Sequence, residues 1–322
     1  MGPMAAQDPR RLTRSRRFAA ATAVITVAKD QHVFSLSADV APAARMLAGG
    51  RVRLETADCF AGQIHAAAAT PDALDWARIN PATGAVFVEG AAAGDVLSVS
   101  VERIEVAPTG VMAVSPEFGV LRERIPATVF AIVPIADGVA HLPGGVDVPI
   151  LPTIGVIGVA PAGAPVPCGS PGAHGGNMDT RLIGEGAVVY LPVAAPGALL
   201  AAGDLHAAMG DGEICGTGVE VAGSITLRVD VRRDLDLVNP VVETAEVVAT
   251  IASAETLDEA ADLATRDMAE LLIRRLGLPV ADATMLMSAA GQLQVSQVVD
   301  PLKTARFALP KSIIAQLSRG LV

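Results

Sequence analysis

Hydrophobic and polar residues alternate along much of the first 245 residues. From Arg51, the side chains of Val52, Leu54 and Thr56 fall on one face and those of Arg51, Arg53 and Glu55 on the other. That is the pattern of a strand with one side on a core. Extending the phase places Asp58 on the inner face, where a carboxylate needs a cation, a metal or backbone donors. Residues 80–84 have turn composition, residues 86–88 a short strand, and residues 96–106 a longer one. In the longer strand the apolar phase runs Leu97, Val99, Val101 and then slips to Ile104 and Val106. A one-residue slip at Glu102 and Arg103 predicts a β-bulge. Residues 127–135 are nearly all apolar, as in a strand covered on both faces. A loop or hairpin is expected at 136–145, followed by a stretch to residue 164 punctuated by proline and glycine.

The strand pattern resumes at residues 187–193. In 198–206, Leu200, Ala202, Asp204 and His206 share one face, and Asp211 and Glu213 share one if the chain is extended there. Ile225, Leu227, Val229 and Val231 alternate with Thr226, Arg228, Asp230 and Arg232, giving a strand with one wet side. After residue 252 the period changes. Thr256 and Glu259 form a capping box. Leu257, Ala260, Ala261, Ala264, Met268, Leu271 and Leu272 make a helical stripe, and Gly277 is its stop signal. Pro279 opens a second helix to about residue 290, and residues 293–299 alternate as a strand.

These elements predict a mainly β protein: a β-sandwich or barrel-like body over residues 21–245, and a smaller C-terminal α/β part over 246–322. That part holds one long and one short helix and packs on the body. Residues 1–20 are expected to be a basic, disordered extension. The order of five arginines followed by an apolar run resembles a signal peptide, and Arg16-Arg17 a twin-arginine one. The β-branched residues from Thr22 suit a first strand better, and no clear cleavage site precedes Lys29.

Composition narrows the class. With 51% hydrophobic and 18% charged residues the chain is globular. Aromatics make up only 3%, so the core must be built from alanine, valine, leucine and isoleucine. A net charge of −10 argues against nucleic acid as a partner. No apolar run approaches the roughly 20 residues of a membrane span. Three cysteines without a CxxC pair fit reduced thiols and a cytoplasmic location.

The candidate chemistry is concentrated in residues 167–218. This stretch is dense in glycine and holds His174, Asp179, Asp204, His206, Asp211 and Glu213. Glycine beside ligand-type side chains suggests a backbone bent closely around something. A metal ion would use the carboxylates if hard, and imidazoles as well if it were zinc. The plainer readings are a satisfied structural histidine, a turn cap for Asp58 and a strand-end turn for Asp204.

Two segments here, GAHGGNMDT (172–180) and GDLHAAMGDGEICGTGVEVAG (203–223), resemble the signature blocks of the acetamidase/formamidase family. LETADCFAGQI (54–64) and NPATGAVFVEGAAAGDVLSV (80–99) resemble its N-terminal blocks, and MSAAGQLQVSQVVDPLKT (287–304) its C-terminal block. The resemblance implies hydrolysis of formamide or acetamide to the acid and ammonia, in a homo-oligomer of two or more subunits. It strengthens the reading of Asp58 as a site residue.

Other amide-cleaving plans find little support. Lys29, Lys303 and Lys311 are the only lysines, too few and too badly placed for a Ser-Ser-Lys or Glu-Lys-Cys arrangement, and G-x-S-x-G is absent. Metal-activated water remains. On this reading Asp58, His174, Asp179 and His206 hold a divalent metal ion, zinc first, with calcium or another divalent ion as alternatives. Glu213 moves the proton, Asp211 orders the ligands, and Asn177 binds the substrate amide or its oxyanion. The loops at 66–77 and 121–145 would set substrate range. A larger or cyclic amide, or a non-catalytic metal-binding β-sandwich, are the alternatives.

Overall fold

The computed structural model describes residues 24–65, 69–317 and 320–322. The expectations for residues 1–20 and for the start of the first strand lie outside them. The fold is mainly β, with its helices near the C-terminus, as the periodicities predict. Eighteen strands are joined in one hydrogen-bonded network, which branches and does not close into a barrel.

Gly50–Thr56 behaves as its alternation demands. Val52 and Leu54 are fully buried, while Arg51 and Arg53 reach across the intervening strand to pair with Glu102 and Glu105. It lies antiparallel to Glu220–Arg232, with Ile225 opposite Leu54. On its other edge Glu220–Arg232 pairs with the long strand Val96–Val114. There Thr226 opposes Arg103 and Leu227 opposes Val101, so Glu102 is the extra residue of the expected bulge. The bulge lets Val101 and Ile104 both reach the core, although they are an odd number of positions apart.

In the apolar run near 127–135, the strand Val129–Ala136 has Phe130 and Ile132 on one apolar cluster and Val133 and Ile135 on another, so both faces are covered in part, while Val129 at its start is 56% exposed. It turns at Asp137 and Gly138, both with positive φ as a two-residue hairpin requires, and returns as Val139–Leu142. The proline- and glycine-punctuated stretch after it contains two strands, Val146–Pro149 and Thr153–Gly158. The second is buried throughout. Its glycines mark close approach: a Cβ on Gly158 would stand 2.7 Å from the Gly176 nitrogen.

The C-terminal region continues the same network. Val188–Pro192 pairs with Val241–Glu243, which pairs with Val247–Ala254, then Lys303–Pro310, then Gln292–Gln297. The helix Leu257–Leu276 has both halves of its Thr256–Glu259 capping box and ends on Gly277 at φ +71°. It buries Ala260, and its Ala264, Met268, Leu271 and Leu272 form a second core with Val248, Phe307 and Leu309. Each such leucine or methionine removed from water stabilises the fold by about 1.5–3 kcal/mol. Val280–Ala290 is the second helix. After Gln292–Gln297 the chain is drawn across to the body, where Gly212 N–H donates to the Ser296 carbonyl at 2.8 Å. That contact carries Asp300 to the site described next. Among the described residues no helix is long and apolar enough to cross a membrane.

Candidate active site

Leu200–His206 is buried along its whole length. Thr153 opposes His206 across one edge of this strand, and Glu220 opposes it across the other. Simple alternation would put Asp204 and His206 on one face. Asp204 reaches the shared space with a left-handed backbone, φ +54°. Asp179 and Glu213 are left-handed as well, at φ +43° and +45°. L-residues avoid this region by about 1–2 kcal/mol, and such strain collects where surrounding structure must aim a functional group.

Four carboxylates surround one imidazole. From His206 Nε2, Glu220 Oε1 lies at 3.3 Å, Glu213 Oε1 at 3.7 Å, Asp179 Oδ1 at 3.8 Å and Asp204 Oδ2 at 3.9 Å. All five side chains are buried. Asp300 closes the ring from the C-terminal region, and its Oδ2 accepts a hydrogen bond from Asn177 Nδ2 at 3.0 Å. Among the described residues no lysine or arginine side chain forms a salt bridge with any of these acids.

This crowding perturbs every group. Burial pushes Asp204 well above the usual carboxylate range, and the charges of Glu220 and Asp179 push it further. Burial and then Asp179 do the same to Glu213, and burial and then Asp179 to Asp300. Asp179 is raised mainly by burial, against the pull of His206. Glu220 goes the other way. Burial opposes its charge, but His206 and the Gly218 N–H, which donates to Oε1 at 2.6 Å, outweigh it. Burial also opposes the charge on His206, and Glu220, Asp204 and Glu213 overcome that to raise it well above its ordinary value.

The lone pairs left over converge. Both oxygens of Asp179, Asp204 Oδ1, Glu220 Oε2 and Asn177 Oδ1 are buried without a hydrogen-bond partner. Leaving one such group unpaired costs about 1–3 kcal/mol, and more when it is charged. Ligand-type atoms of Asp179, Asp204 and His206 lie within 4.8 Å of one another, as do those of His206, Glu213 and Glu220. Cys59 forms a third such group with Asp204 and Glu220. Metal–ligand bonds of about 2.0–2.2 Å place neighbouring donors roughly 3–3.6 Å apart, close to the spacings seen around His206. The cluster therefore has the donors and much of the spacing for a divalent cation. Gly155 makes room for it: a Cβ there would stand 2.5 Å from Asp179 Oδ1 and 2.7 Å from Asp204 Oδ2.

The acids form the floor of a half-open cavity of about 630 Å³, a volume typical of small-molecule sites. The cavity keeps the cluster reachable by a ligand, which does not favour a closed, non-catalytic metal site.

Of the residues expected from sequence, Asp179, His206 and Glu213 meet in this cluster, with Asn177 at its edge. The other three lie elsewhere. Asp58 Oδ1 caps a turn, accepting from the Phe60 and Gly62 amides at 3.0 Å each, so the strand phase does not carry past Thr56. Asp211 pairs with buried Arg306 at 2.6 Å and faces Arg181, because Glu213's left-handed backbone breaks the extended phase that would have aligned the two acids. His174 joins no ligand group and borders a different, mostly apolar cavity with Pro161, Pro192 and Val193. Burial lowers its pKa to about 4, keeping it neutral. Gly175 and Gly176, both at positive φ, turn the chain between it and Asn177.

Sequence reasoning left Asp204 open and passed over Glu220 and Asp300. Glu220 is out of phase with Val221, Ile225 and Leu227, so alternation marks it as outward. The signal for Glu220 and Asp300 was their position inside the quoted blocks.

A profile of the acetamidase/formamidase family matches residues 27–166 and 166–316. A crystal structure of a recombinant predicted acetamidase/formamidase from Thermoanaerobacter tengcongensis is 50% identical, covers 92% of this chain and 98% of that one, and superposes with a TM-score of 0.90. An acetamidase from Bacillus halodurans is 45% identical over 92% of this chain and 100% of its own, also at 0.90. A formamidase-named protein of Schizosaccharomyces pombe is 30% identical over 244 residues, which make up 56% of this chain and 59% of that protein. The chain thus spans about three fifths of that curated relative.

Proposed function

The chain belongs to the acetamidase/formamidase family, and from that membership we propose that it is an amidohydrolase acting at the cluster around His206. It cleaves the carbon–nitrogen bond of a carboxamide with water, forming a carbon–oxygen bond and releasing the carboxylic acid and ammonia. The supporting observation is the convergence of four carboxylates on one imidazole beside an open cavity, with buried, unpaired oxygens on Asp179, Asp204 and Glu220.

Asp179, Asp204 and His206 would hold a divalent ion, with Glu220 beside them; zinc is the first choice, and calcium or another divalent ion the alternative. Bound there, such an ion supplies Lewis acidity to the carbonyl and acidifies water near neutral pH. The protein's own groups do the rest. Burial and then the charge of Asp179 raise the proton affinity of Glu213, so it can accept a proton from the attacking water and deliver it to the departing nitrogen. Asn177 Nδ2 is engaged by Asp300, leaving Oδ1 to accept an N–H of the substrate amide. Glu220 keeps its charge opposite His206 and holds the ring in place.

The test is ammonia release from carboxamides by the metal-loaded protein and after chelation. Turnover should fall at least a hundredfold with chelator and return with the metal. Unchanged turnover in chelator would remove the metal from this reading.

We also expect a homo-oligomer. Val129, Val146, Leu151 and Ile214 are each more than half exposed on the body, and contact between subunits would cover them. A monomeric mass by light scattering at micromolar concentration would refute this. Free Cys59, Cys168 and Cys215 suit a reducing, cytoplasmic setting.

A further inference from the structure

The cavity above the acids is too large and too apolar for formamide or acetamide alone. At roughly 30 Å³ per water, its volume of about 630 Å³ would hold many such molecules. Its walls are also unusual for this chain. The sequence has seven phenylalanines, one tryptophan and one tyrosine, and four of these nine rings, Phe34, Phe60, Trp76 and Phe118, line this one space.

These rings are held in place. Trp76 starts a short 3-10 turn whose Asp75 cap accepts from the Ala77 amide at 3.1 Å, and Gln63 fixes Asp75 through its backbone N–H at 2.8 Å. Trp76 meets Phe118 edge to face, with ring centres 6.4 Å apart. Phe118 fits because residue 216 is glycine: a Cβ there would come within 2.6 Å of its ring. Phe60 is buried edge to face against Phe130 at 5.9 Å. The charged lining residues, Asp204, Glu213, Glu220 and Asp300, belong to the acid cluster on the floor. Among the described residues no lysine or arginine lines the cavity.

We propose that the preferred substrate is a primary carboxamide whose acyl group is a neutral aromatic, benzamide- or phenylacetamide-like, with the ring between Trp76 and the phenylalanines and the amide on the acids. The proposal rests on the hydrolytic reading above and adds the substrate class. Aromatic rings favour edge-to-face neighbours, and a wall without cations rejects a carboxylate-bearing side chain. Among the described residues, Trp76 and Ala77 come from the first loop expected to set substrate range, whereas 121–145 does not reach this cavity.

The experiment compares kcat/KM of the metal-loaded protein for benzamide and phenylacetamide with that for formamide and acetamide. The aromatic amides should be favoured at least tenfold, the scale on which apolar pockets discriminate. Trp76→Ala should lower that ratio about tenfold, and Trp76→Phe should largely restore it. A second readout does not depend on turnover. Trp76 is the chain's single tryptophan, so its emission reports the cavity directly. Benzamide should change it saturably in chelated protein, and acetamide should not at equal concentration. Preference for acetamide, with a ratio unmoved by Trp76→Ala, would overturn the substrate class and leave hydrolysis standing. No ammonia from any amide, with saturable quenching by benzamide, would sink hydrolysis and uphold the aromatic cavity. Neither signal would sink both.

Discussion

Replacing His206 by alanine is expected to remove bound metal and amide hydrolysis together, with turnover falling at least a thousandfold. His206 is the imidazole on which four buried carboxylates converge, at 3.3–3.9 Å. It is also the only basic side chain paired with them among the described residues. Without it the acids would be crowded and uncompensated. Breaking a buried ion pair in this way costs about 3–5 kcal/mol, so the variant should also unfold at lower temperature. The loss should depend on pH. Asp204, Asp179 and Glu213 already lie above the usual carboxylate range, mainly through burial. A raised folded-state pKa stabilises below the unfolded value, near 4 for carboxylates, and that contribution is lost as pH rises through the folded value. The variant should therefore melt higher in mild acid than at neutral pH or above. Elemental analysis, ammonia release and thermal melts at two pH values measure all three effects. Full activity in this variant would remove the centre of the proposal.

Glu213→Gln should fail differently. Glutamine keeps the size and the left-handed backbone demand of Glu213 but cannot carry the proton. A general acid or base contributes about a hundred- to ten-thousand-fold, so kcat should fall by that factor. KM should change little, and metal content and melting temperature should stay near those of the parent. The pH limb of kcat that belongs to Glu213 should vanish in the variant. Loss of metal in Glu213→Gln would make Glu213 a ligand, which its spacing to His206 and Glu220 also allows. The two substitutions separate holding the ion from moving the proton, which a single loss of activity would not do.

The site was only partly legible in the sequence, and the reason lies in particular residues. Asp179, His206 and Glu213, which meet in the cluster, were singled out because they stand in glycine-rich segments with acids close by. Asp58 and His174 stand in equally suggestive segments, yet one caps its own turn and the other borders a separate cavity. Nothing local distinguishes these cases, because a ligand is defined by which distant side chains face it. Asp300 is the sharpest example: it reaches the cluster only because Gln292–Gln297 is hydrogen-bonded near Gly212.

What the sequence determined by itself was what short-range physics controls. The Thr256–Glu259 cap, the stripe of Leu257–Leu276 and the stop at Gly277 depend on neighbours within a few residues, and all appear as read. The bulge at Glu102 followed from one slip in a two-residue period. The tertiary structure decided the rest. It divided the side chains of Val129–Ala136 between two apolar clusters, and it forced Asp179, Asp204 and Glu213 into left-handed backbone. It also closed four acids around His206, with Asp300 held beside them by Asn177, from strands and loops far apart in the chain. The cost of that closure, in strain and desolvation, can be borne only by a whole packed sheet, and no window of sequence records it.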